Sequence, residues 1–81
     1  MQIDIITPDK SVLKGEADAV TLPGAKGSFQ ILNNHADLIS TLEKGDVVVK
    51  KGTENTTYKI SGGVAEVYDN KVIVLAESVL A

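Results

Sequence analysis

The chain has 81 residues, no cysteine and a formal net charge of −3. That length suits a single domain with a thin core, because a domain this small buries only roughly 60–65% of the surface its unfolded chain exposes. No disulfide can staple it, no apolar run approaches the roughly 20 residues of a membrane-spanning helix, and the absence of arginine beside few aromatics argues against nucleic-acid binding.

The period along the chain is two. Ile3 and Ile5 alternate with Gln2 and Asp4, which predicts a first strand with no basic, apolar leader before it. Thr7-Pro8-Asp9 is a turn signal, and Lys14-Gly15 is read as a second. Val20 and Leu22 form the apolar side of a strand closed by Pro23-Gly24. Phe29 and Ile31 point to one face of the next strand, which ends at Asn33-Asn34. The stretch from His35 to Leu42 is ambiguous. Leu38, Ile39 and Leu42 lie at helical spacing, yet the segment is short enough to be one strand. Lys44-Gly45-Asp46 then turns into Val47-Val48-Val49, and Lys50-Lys51 reads as a solvated strand end. Tyr58 and Ile60 mark a further strand before Gly62-Gly63, where a bulge or a close backbone approach is expected. Asp69-Asn70 tolerates left-handed backbone and predicts a tight hairpin. The apolar run Val72 to Leu75 reads as buried on both faces. About eight short strands broken by such turns imply an all-β sandwich or small barrel, one domain over residues 1–81.

The residues for catalysis are missing from this pattern. There is one histidine, no cysteine and no Gly-x-Ser-x-Gly elbow, so neither a nucleophile–base pair nor a zinc site is expected. The stretch from Pro23 to Ser28 has the look of a phosphate loop but lacks its Gly-Lys-Ser/Thr ending, and reads as a structural turn. Asn55-Thr56-Thr57 matches a glycosylation sequon by coincidence. No catalytic, cofactor or metal residue is assigned. Function then consists of contact with other molecules, and the residues alone leave a free-standing ligand- or peptide-binding sandwich open as an alternative.

One stretch narrows this. Residues 22–38, LPGAKGSFQILNNHADL, resemble the signature of the epsilon subunits of bacterial F-type ATP synthases, with a Pro-Gly turn, a second Gly and a His-Ala step in order. Ile60-Ser61-Gly62-Gly63-Val64-Ala65-Glu66-Val67 is similar to the family's Gly-Gly strand pair, and the segment from Asn70 to Glu77 to its closing strand. The resemblance implies a flattened sandwich of about ten short, mainly antiparallel strands. It implies a non-catalytic rotor subunit that links gamma to the c-ring, supports the coupling of proton flow to ATP synthesis and sits peripherally on the cytoplasmic face of the inner membrane. Ser28, Asn33, Asn34 and His35 become candidates for the ring side, and Leu38, Ile39, Ser40 and Leu42 for the gamma side. Pro23, Gly24, Gly27, Gly45, Gly62 and Gly63 are turn residues. Two positions depart from the pattern. Ser28 stands where many members carry an acidic residue, and Asp37 where many carry Pro. Members usually continue into a helical hairpin, whereas this sequence stops at Ala81; it is either a short form without the hairpin or a piece of a longer protein, and these 81 residues are expected to carry no ATP site and no inhibitory latch.

Overall fold

The computed structural model describes residues 1–80, and Ala81, the last residue of the expected domain, lies outside them. These residues form ten strands: β1 (Gln2–Ile6), β2 (Ser11–Glu16), β3 (Ala19–Gly24), β4 (Gly27–Leu32), β5 (Leu38–Leu42), β6 (Gly45–Lys51), β7 (Glu54–Ile60), β8 (Gly63–Tyr68), β9 (Lys71–Ala76) and β10 (Val79–Leu80). Their order is β10-β7-β6-β3-β5-β8-β9-β1-β2, with β4 on β3, and every pairing is antiparallel except β1 with β9. The ambiguous segment resolves as a strand. Pairing of Leu38–Leu42 with β8 satisfies backbone groups that a single helical turn would leave open.

The sheet curls back on itself at a narrow join. β3 meets β5 only at Gly24↔Leu42, while its other end pairs with β6. Two halves therefore face each other, β10-β7-β6-β3-β4 on one side and β5-β8-β9-β1-β2 on the other. Their inner faces share one apolar cluster, in which Ile3, Ile5, Val20, Leu22, Val47, Ile60 and Val74 are completely buried. Alternation explains this directly, because every second residue of a pleated strand points inward.

Two expectations need correction. Val72 and Val74 are buried, but Ile73 is half-buried and Leu75 is 48% exposed, so β9 is covered on one face and not on both. A two-layer sandwich has nothing beyond its outer faces to bury them. Lys14-Gly15 is not a turn but lies inside β2, where Gly15 pairs with Ile3 on the sheet edge. Its backbone needs no positive φ, so the glycine marks no reversal there.

The remaining turns follow their chemistry. Asp69 (φ 49°) and Asn70 (φ 56°) form the two-residue hairpin between Tyr68 and Lys71. Ala25-Lys26 joins β3 to β4, with Gly27 at φ 121° closing it. Gly45 begins β6 against the ring of Pro23. At Gly63 the chain makes the close approach expected of the glycine pair. Its φ is 153°, and a Cβ there would overlap the carbonyl oxygen of Leu75 on β9. Gly62 is buried beside it, and its carbonyl accepts from the Glu77 amide at 2.9 Å. These contacts hold the crossing from β9 to β10, where Val79 pairs with Ile60.

Candidate interaction surfaces

The residues singled out from the sequence fall on three separate parts of the molecule. Register puts Ser28 opposite Pro23, near the tip of the β3–β4 hairpin, and it is exposed. Asn33, Asn34 and His35 follow the other end of the same strand. β4 carries the chain roughly 3.3 Å per residue, so about 16 Å of extended backbone separates Ser28 from Asn33. These four residues do not converge on one tip.

The Asn33 end is tied up internally. The amide of His35 donates to the Leu32 carbonyl at 3.1 Å, closing a turn with Asn34 at φ 61°. The Met1 ammonium donates to Asn33 Oδ1 at 2.7 Å and to the Ala17 carbonyl at 3.0 Å, with the Glu16 carboxylate at 3.6 Å. The Asn34 amide donates to Asn70 Oδ1 at 2.8 Å. His35 is half-buried, and its Nδ1 donates to the Ala36 carbonyl at 2.8 Å. These groups bind the start of β1, the β4–β5 turn and the β8–β9 hairpin into one end of the domain. Asn33 and Asn34 are exposed as well, as are Ala25, Lys26, Gly27 and Ser28 at the hairpin tip, but no hydrogen bond among the described residues ties up the Lys26 or Ser28 side chain.

β5 splits its candidates by alternation. Ile39 points outward and is 73% exposed, the most exposed large apolar side chain of the domain's described residues. Leu38 packs against the core and Ser40 is half-buried, while Leu42 is 3% exposed and belongs to the core itself. Leu42 therefore supports this region from beneath and offers no side chain to a partner.

Around Ile39 the register assembles a surface that the sequence reading missed. One row runs Thr41, Val64, Leu75, Ile6 across β5, β8, β9 and β1; the next runs Ile39, Glu66, Ile73, Asp4. Val64 is 37% and Leu75 48% exposed, and a shallow groove lined by Ile6, Pro8, Thr41, Val64 and Leu75 crosses the first row. Apolar side chains on contiguous strands of one outer face make a patch rather than scattered exposures. The signal lay in β8, where Glu66 between two small apolar residues sets which face looks outward.

Residues 1–81 match the family described as ATP synthase, Delta/Epsilon chain, beta-sandwich domain. The ATP synthase epsilon chain of Nitratidesulfovibrio vulgaris is 46% identical over 78 residues, which cover 96% of this chain and 58% of the relative. That of Caulobacter vibrioides is 38% identical over 77 residues, covering 95% of this chain and 90% of the relative. This chain thus spans little more than half of the first relative and most of the second. A chain in the Euglena gracilis mitochondrial ATP synthase, in a structure that includes the c-ring, superposes with a TM-score of 0.89 at 27% identity, over 96% of this chain and 51% of that one. A chain from the central stalk and c-ring of the Tetrahymena thermophila enzyme shares the fold, with a TM-score of 0.82 at 19% identity, over 98% of this chain and 64% of that one. With the match running through every strand and turn described above, the chain belongs to the ATP synthase delta/epsilon chain family through its β-sandwich domain.

Proposed function

We propose that this domain is a non-catalytic rotor subunit of a proton-translocating F-type ATP synthase, peripheral on the cytoplasmic face of the bacterial inner membrane, linking the gamma subunit to the c-ring. The observation that carries the reading is the family match over residues 1–81 in a fold that leaves one outer sheet face apolar. A domain of this kind acts by holding two bodies in register, so that proton-driven rotation of the ring reaches the stalk.

Gamma takes the outer face of β5, β8, β9 and β1. Ile39, Val64 and Leu75 supply its apolar area, and Leu38, Ser40 and Leu42 support it from the inner side. The ring takes the β3–β4 hairpin tip with Ser28, whose exposed side chain is not held by any hydrogen bond among the described residues, whereas the Asn33 side chain and the Asn34 backbone amide already bond within the chain. His35 lies at that second end and contributes to its shape rather than to the ring contact.

The test is capture by purified gamma subunit and by c-ring from the same genome, each offered separately. The reading expects gamma to retain the chain, and a charge-reversing change at the hairpin tip, Lys26→Glu, to weaken ring contact but not gamma capture. A chain that ignores its own gamma subunit would sink the assignment.

A further inference from the structure

Glu66 stands in the middle of the apolar outer face. Its cross-strand neighbours are Ile39 on β5 and Ile73 on β9, and its same-face neighbours along β8 are Val64 and Tyr68. The side chain is half-buried, and no ion pair among the described residues includes it. The cation closest along this face, Lys71, lies with its Nζ 6.0 Å from the centre of the Tyr68 ring. Asp4, at the far end of the same row, is differently placed: the Gln2 amide nitrogen lies 3.4 Å from its carboxylate, and Lys14 faces it across β2. Asp37, a second carboxylate, borders the dent that Glu66 and Ile39 share.

A carboxylate in this setting is tolerable only while water reaches it. Once a partner covers Ile39, Val64 and Leu75, the water over Glu66 is stripped away, and an unpaired charge in an apolar contact opposes association strongly. An apolar partner surface alone therefore does not fit this face. Charge complementarity demands an apolar surface carrying one basic side chain opposite Glu66, with arginine the better match because its planar fork pairs with both carboxylate oxygens.

Resting on the assignment of this face to gamma, we infer that Glu66 is the charged anchor of the interface, receiving a basic side chain of the gamma subunit within an apolar surround. The sign of one substitution tests it. If Glu66 is paired, Glu66→Gln leaves a buried cation without its counter-charge and speeds dissociation. If Glu66 merely tolerates burial, the same change removes a desolvation cost and slows it.

The experiment measures dissociation of the full chain from immobilised gamma subunit of the same genome. The variants are Glu66→Gln and the double variant Ile39→Ser with Leu75→Ser, each first checked for an unchanged far-UV spectrum and thermal midpoint. The expected result is dissociation of Glu66→Gln about thirtyfold faster than wild type, the scale for truncating one partner of a desolvated charge pair, with capture lost in the double variant. Loss of capture in the double variant together with unchanged or slower dissociation of Glu66→Gln overturns the anchor and leaves the face assignment standing. A double variant that binds like wild type overturns the face, and the anchor with it.

Discussion

Replacing Gly63 by alanine tests whether the β8–β9 contact is as tight as the backbone makes it. Two costs add. The φ of 153° is a conformation that a residue with a Cβ rarely adopts, a strain of roughly 1–3 kcal/mol. The added Cβ would also overlap the Leu75 carbonyl oxygen, with Ala76 Cα at 3.0 Å. These are backbone atoms of a paired strand, so relief requires β9 to move rather than a side chain to swing aside. A total loss of about 3 kcal/mol or more follows, a large share of the roughly 5–10 kcal/mol expected for a domain of this size. At about 4–8 °C per kcal/mol for so short a chain, the thermal midpoint falls by about 12 °C at least. The assay is urea unfolding followed by far-UV circular dichroism, since the chain has no tryptophan to report by fluorescence. Two internal comparisons isolate the terms. Gly52→Ala (φ 61°) has nothing within 4 Å of the new atom and carries only conformational strain, about 1 kcal/mol. Gly15→Ala also meets open space and needs no positive φ, so it leaves stability unchanged or raises it by about 0.5 kcal/mol. A Gly63→Ala protein that unfolds within about 1 kcal/mol of wild type would refute the reasoning, as would one no less stable than Gly52→Ala.

Ile60→Ala removes a completely buried side chain from the cluster between the two halves, and equilibrium unfolding should show a loss of about 2–5 kcal/mol. Asn33→Ala deprives the Met1 ammonium of its 2.7 Å acceptor; a loss of about 1–2 kcal/mol is expected by urea titration, against no measurable change for Asn55→Ala on the exposed part of β7. The Lys59–Asp46 pair spans 3.1 Å but is exposed on both sides, so a double-mutant cycle should return a coupling of about 0–1 kcal/mol that shrinks as salt is added.

Most of the fold was legible because turn chemistry and alternation agree. Asp69-Asn70 and the glycine pair at 62–63 each name a backbone conformation that few residues reach, and both appear where expected. Lys14-Gly15 misled because a glycine on a sheet edge needs no special φ, and composition cannot separate that case from a turn. Nearness along the chain misled in a second way. Ser28 and Asn33 look like neighbours in the sequence, yet an extended strand carries them to opposite ends of β4.

The surface was harder to read than the core because an apolar run does not say which of its faces looks outward. In Val72-Ile73-Val74-Leu75 every residue qualifies for burial, and only the partner strand decides. β8 resolves it. Glu66 cannot point into a core that offers no cation, so Ala65 and Val67 turn inward and Val64 outward. Pairing then carries that parity across the sheet: Val64 fixes Leu75 as outward, Leu75 fixes Ile6, and Glu66 fixes Ile39 and Ile73. One charged residue therefore orients four strands and lies at the middle of the apolar face it exposes. A lysine there would keep the parity and the fold while reversing the demand on any partner. Glu66→Lys is thus expected to keep its unfolding midpoint and lose gamma capture, separating what the residue does for the sheet from what it does for the complex.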